Sequence, residues 1–148
     1  MNNYDDVIGE EVIDDWDLHN LRRGEALSWL RTEPRTFAQL RAKDISWFRS
    51  LAAYTTIQAV LEKLATDRTP DVRNAVARNA ETPAAVLEKL ATDRDLYVRE
   101  AVAWNAGTPA AVLEKLATDR TSGVRYAVAW NAETPAAVLE KLATDPDL

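Results

Sequence analysis

Residues Thr82–Gly107 read TPAAVLEKLATDRDLYVREAVAWNAG, and nearly the same text returns from Thr108 to Glu133, with 21 of 26 positions identical. A looser copy, TIQAVLEKLATDRTPDVRNAVARNAE, precedes it from Thr56 to Glu81, and TPAAVLEKLATD opens once more at Thr134. A period of 26 residues over more than half of a 148-residue chain predicts a stacked array of units rather than a globule closed around one centre.

Each unit divides into two apolar stripes at helical spacing. In the first, Val86, Leu87, Leu90 and Ala91 fall at i, i+1, i+4 and i+5, with Glu88, Lys89 and Thr92 on the opposite side. Thr82–Pro83 in front of them reads as a helix start, the threonine hydroxyl capping a free amide and the proline filling the first helical position. In the second, Val98, Ala101, Val102 and Asn105 fall at i, i+3, i+4 and i+7. Either Asp93 or Asp95 is placed to cap it. Asn105 is expected to close it, in the left-handed conformation that asparagine tolerates. Two short helices and two turns consume the period and leave no room for a strand. Helices this short do not persist alone, so the units must stack.

The pattern T-P-x-x-V-L-E-K-L-A-x-D followed by V-R-x-A-V-A-x-N-A, over residues 56–148, resembles the variant leucine-rich repeat family of bacterial proteins. The resemblance implies an all-α, right-handed α-solenoid of about 26-residue repeats, each pairing an α-helix with a second short α- or 3₁₀-helix. It implies almost nothing about function beyond the protein binding presumed for the family; the absence of a catalytic constellation in the residues themselves is what points away from an enzyme. Some members of that family hold a cysteine-ligated iron–sulfur cluster, but this chain has no cysteine, so the property does not carry over. HEAT-like repeats share a V-R-x-A helix and need longer helices than this period permits.

Composition narrows the function classes. Eighteen Lys and Arg against 24 Asp and Glu give a net charge of −6, which disfavours nucleic acid as the main partner because such binding rests on phosphate neutralisation. With no cysteine and a single histidine, His19, disulfides, thiol catalysis and a histidine metal site all lack parts. The four glycines are isolated and form no phosphate loop. No cofactor and no metal are expected. No signal-peptide run and no membrane span is legible, and the chain reads as cytoplasmic.

Three regions follow. Residues 1–20 form an acidic arm with seven acids and no lysine or arginine, although Val7, Ile8, Val12, Ile13 and Trp16 could line one side of a short docking helix. Residues 21–55 read as a helical N-terminal cap ending in a degenerate repeat, with Phe48-Arg49 standing where Val72-Arg73 stands in the next unit, two residues short of the period. Residues 56–148 hold three and a half regular repeats. The last half-unit keeps Val138, Leu139 and Leu142 unchanged, so the array reads as lacking a polar cap at that end.

Two ladders recur at fixed repeat positions. Asp67, Asp93 and Asp119 with Arg73, Arg99 and Arg125 read as ion pairs within or between repeats. Asn79, Asn105 and Asn131 read as satisfying turn backbone inside the stack. Functional candidates are sought instead where the units differ. Those positions are Asn74/Glu100/Tyr126 and Arg78/Trp104/Trp130, with Asp71/Tyr97/Gly123 just before them. They form one flank of the second helix. Trp104 and Trp130 are expected as neighbours with Tyr97 and Tyr126 beside them, and Tyr54 extends the row. Trp104 falls roughly 110° from the centre of the Val98/Ala101/Val102 face, at the rim rather than inside. The expected partner-binding set is therefore Tyr54, Arg78, Tyr97, Glu100, Trp104, Tyr126 and Trp130, for a protein or peptide. The alternative is an assembly module associating through its uncapped C-terminal face. A polyanion binder through residues 22–49, with Arg22, Arg23, Arg31, Arg35 and Arg41, comes last.

Overall fold

The computed structural model describes residues 45–56 and 58–148. The acidic arm and the rest of the segment before residue 45, including its arginines 22–41, lie outside the described residues. Within them the chain forms eight helices and no strand: α1 (Ile45–Tyr54), α2 (Gln58–Leu64), α3 (Pro70–Arg78), α4 (Ala84–Leu90), α5 (Leu96–Trp104), α6 (Ala110–Leu116), α7 (Ser122–Trp130) and α8 (Ala136–Leu142). None is long and apolar enough to cross a membrane.

The two stripes of each unit become two helices. The first helix buries its valine and two leucines, as Val86, Leu87 and Leu90 do on α4 and Val112, Leu113 and Leu116 do on α6. The second buries a Val-Ala-Val set, as Val98, Ala101 and Val102 do on α5. Each such valine or leucine contributes roughly 1.5–3 kcal/mol on burial, and these residues run together with the alanines into one core. The second helices pack on one another in series, α1 on α3, α3 on α5 and α5 on α7. Alanine at Ala77 and Ala103, both fully buried, lets these backbones approach.

The turns are built from the recurring polar letters. At the end of each first helix a threonine hydroxyl donates back three residues, Thr92 to the Lys89 carbonyl at 2.9 Å. The next aspartate accepts from the amide two residues on, Asp93 from Asp95 at 2.9 Å. Such local bonds offer the backbone a turn in place of a further helical step. Asp95 then caps α5, its Oδ1 accepting from the amides of Tyr97 and Val98.

Two sequence expectations are corrected here. Thr82 is not the cap of α4. That position belongs to Pro83, with no side-chain cap bond, and the Thr82 hydroxyl donates backward to the Val76 carbonyl at 2.6 Å. Thr108 and Thr134 do the same to Val102 and Val128. A carbonyl in the last turn of a helix has no partner four residues on; each of these accepts from the asparagine backbone amide three residues on, and the buried hydroxyl adds a second bond. Asn105 is not left-handed either: it ends α5 at φ −72° and ψ 122°, in extended backbone, as Asn79 and Asn131 do on α3 and α7. The chain leaves the helix straight because the asparagine amide is engaged with the preceding unit.

Candidate functional site

The unit-to-unit seam accounts for both polar ladders. The Asn105 side-chain amide donates to the Ala77 carbonyl at 2.7 Å and the Asn79 carbonyl at 3.0 Å, while its Oδ1 accepts from Gly107 N. Asn131 repeats this on Ala103 and Asn105. Asn79 reaches Ala52 and Thr55, so α1 takes the place of a preceding second helix. The separation to Thr55 is 24 residues where the next two asparagines span 26, which is the two-residue shortening visible in the sequence.

The arginines bridge forward. Nε of Arg73 donates to Asp93 at 2.7 Å and Nε of Arg99 to Asp119 at 2.7 Å, and Arg125 reaches Asp145 in the same way. Each Nη1 also donates to the carbonyl of an aspartate six residues back: Asp67, Asp93 and Asp119 in turn. The partner carboxylate thus lies in the next unit, a choice the sequence spacing left open. Burial pushes the Asp93 and Asp119 carboxyls up, but the guanidinium bond and a backbone amide outweigh it and hold both below the usual range. The hydrogen bond from Arg125 lowers Asp145. Arg73, Arg99 and Arg125 are raised, chiefly by those same bonds. Arg73 and Arg99 are buried and fully engaged, so this ladder holds units together and offers little to a ligand.

The flank is different. Trp104 is 45% exposed, Tyr126 48% and Trp130 66%. Tyr126 stands between the two indoles, its ring 6.3 Å from Trp104 in an edge arrangement of 69° and 6.0 Å from Trp130 at 50°. The indoles are joined through the tyrosine because Tyr126 lies one turn before Trp130 on α7 and at the repeat position of Glu100 on α5. Among the described residues, Tyr97 joins neither ring contact. It is exposed in the first turn of α5, two turns from Trp104, and its carbonyl accepts from the Asn74 amide at 2.7 Å. Glu100 is half-buried and lies beside Gly123, where a Cβ would be 3.7 Å from its Oε2. Arg78 holds the indole position on α3 and donates to Asn74 Oδ1 at 3.0 Å. Tyr54 is exposed at the end of α1, separated from α5 by α3. The structure therefore brings together three of the seven expected residues and spreads the other four along the same side.

The Glu88–Lys115 pair, 3.8 Å apart and largely exposed, is a solvated contact of small worth. Among the described residues no group of three His, Cys, Asp or Glu side chains is placed to hold a metal ion. No curated protein and no solved structure matches the chain. Residues 70–95, one full period from α3 to the turn before α5, match the family model described as leucine rich repeat variant, a family of helical repeats to which this segment is similar.

Proposed function

We propose that the chain is a non-enzymatic repeat scaffold, a right-handed α-solenoid whose units stack through the seam above, and that it binds a protein or peptide on the aromatic flank of its second helices. The observation that carries this reading is the Trp104–Tyr126–Trp130 cluster. Three large rings meet at 6.0–6.3 Å yet remain about half or more exposed, on helices whose buried positions do not vary. A demand from the core would act on all units alike, and Arg78 serves α3 at the same position. Exposed aromatic clusters with rigid geometry are a common anchor for partner side chains. Repeat scaffolds bind along such extended surfaces. Glu100, one turn before Trp104 on α5, and Arg78, at the indole position on α3, carry opposite charge and suit a polar rim.

The test is selection of binders from a displayed random peptide library on the wild-type chain, followed by titration against Trp104→Ala/Trp130→Ala. Peptides from the library should lose tenfold or more in affinity on the double variant, while its circular dichroism and cooperative melt are retained. Equal affinity for both proteins, or outright unfolding of the double variant, would remove the reading.

A further inference from the structure

Glu100 stands where the crossing between second helices changes its chemistry. On α3 the same repeat position is Asn74, whose Nδ2 donates across the seam to the Tyr97 carbonyl, in the first turn of α5, at 2.7 Å. The corresponding residue in the first turn of α7 is Gly123, and it faces Glu100: a Cβ there would lie 3.7 Å from Glu100 Oε2. An ionised carboxylate accepts and does not donate, so the bond that Asn74 makes is closed to Glu100. Among the described residues no hydrogen bond or ion pair reaches the Glu100 side chain, although it is half-buried. One unit further along, a satisfied crossing has become two acceptors side by side, the carboxylate and the Gly123 carbonyl, with no side-chain donor between them. Glycine adds no side chain of its own at that point.

The rings adjoin this crossing. Trp104 follows Glu100 by one turn on α5, Tyr126 follows Gly123 by one turn on α7, and their rings are 6.3 Å apart. The carboxylate therefore lies at the edge of the exposed aromatic cluster. Arg78, the cation in this row, is on α3 with its Nε turned onto Asn74 Oδ1, and it makes no ion pair with Glu100. Rings alone would accept any apolar group. An apolar group pressed over a half-buried, unpaired carboxylate is costly, whereas a cation gains both from the carboxylate and from ring faces within roughly 6 Å.

We propose that the flank selects a partner segment carrying an arginine, whose guanidinium bonds to Glu100 and stacks against Trp104 and Tyr126. This rests on the flank being the binding surface and adds what that surface chooses. A guanidinium suits the crossing because it is planar and carries five donors in a fixed fork. It can pair with the carboxylate and still turn an N–H toward the Gly123 carbonyl, while its faces stack on aromatic rings. A lysine ammonium meets the carboxylate as a point charge and lacks the planar faces. An acidic segment meets like charge at Glu100.

The experiment takes peptides selected on the wild-type chain from the displayed random library. The selected pool should be enriched in arginine over the unselected library. Synthetic versions of one such peptide then carry arginine, its neutral isostere citrulline, or lysine at that position. Citrulline should weaken binding by about tenfold or more, and lysine by a smaller but measurable factor. Glu100→Gln should bring the arginine peptide down to the level of the citrulline peptide and leave the latter unchanged, with the thermal melt retained. Glu100→Asn, which restores the residue of α3, should do the same. A pool without arginine enrichment overturns the proposal, as does a lysine peptide that binds as tightly as the arginine one. So do equal losses of the arginine and citrulline peptides on Glu100→Gln. Peptides that need the indoles yet tolerate Glu100→Gln remove the arginine site and leave the flank as a binding surface. Peptides indifferent to Trp104→Ala/Trp130→Ala remove both.

Discussion

The seam and the aromatic flank lie on the same helices, α5 and α7, a fraction of a turn apart, and they obey opposite rules. On the seam each position is held by a neighbour in an adjacent unit, and the residue stays the same from unit to unit. Val98, Ala101 and Val102 are nearly inaccessible, and even the polar members, Arg99 and Asn105, are tied to groups in adjacent units. On the flank the residue changes from Arg78 to Trp104 to Trp130 with no adjustment in the core. The stack therefore constrains one side of each second helix and leaves another side of the same helix free to vary. Stacking requires sameness, and only the positions it leaves free can be tuned.

The contrast predicts a graded set of losses. The largest falls on a fully buried seam leucine. Leu113→Ala should cost about 3–4 kcal/mol by chemical denaturation, while Leu139→Ala, the same residue at the exposed end, should cost under about 1 kcal/mol. Equal losses would mean that the two positions are packed alike. Next is the asparagine ladder. Asn105→Ala removes two interunit bonds, including the side-chain donor to the buried Ala77 carbonyl, and leaves the Asn79 carbonyl with Thr82 N alone, for about 2–3 kcal/mol. It should also accelerate exchange of amides in both flanking units rather than in one.

Acid should weaken the seam in the same places. The Asp93, Asp119 and Asp145 carboxyls lie below the usual range in the folded chain. An unfolded chain therefore takes up protons first, and the stability they contribute is complete above about pH 4. It is lost progressively as pH falls below that, through the folded values. Melts from pH 7 to pH 2 should show a decline confined to that acid range, and Asp119→Asn should flatten it. A decline centred near pH 6 would point to other groups. The smallest loss belongs to the flank: Trp104→Ala with Trp130→Ala should cost only about 1–2 kcal/mol, well below the 3–5 expected for a buried tryptophan. A larger loss would place the indoles in the core and erase the contrast.

Much of this was legible in the chain itself. Val86, Leu87 and Leu90 at helical spacing, repeated every 26 residues, determined helix type, number and the buried side, because that spacing is incompatible with a strand and too short to stand alone. The rim placement of Trp104 followed from helix geometry, which needs no partner to compute. What the tertiary structure alone decided are the long-range partners. Arg73 had aspartates within reach in its own unit and in the next, and only the packing of α3 on α5 sets its Nε against Asp93. Asn105 looked like a left-handed helix end on local grounds. It is extended because the Ala77 and Asn79 carbonyls draw its amide toward them, a bond between residues 28 and 26 apart. Thr82 looked like a cap for the helix ahead, and the buried Val76 carbonyl behind it, which also accepts from Asn79 N, took the hydroxyl instead. Local sequence encodes the backbone preference of each residue, but a polar side chain with two available partners is assigned by whichever one the stack buries.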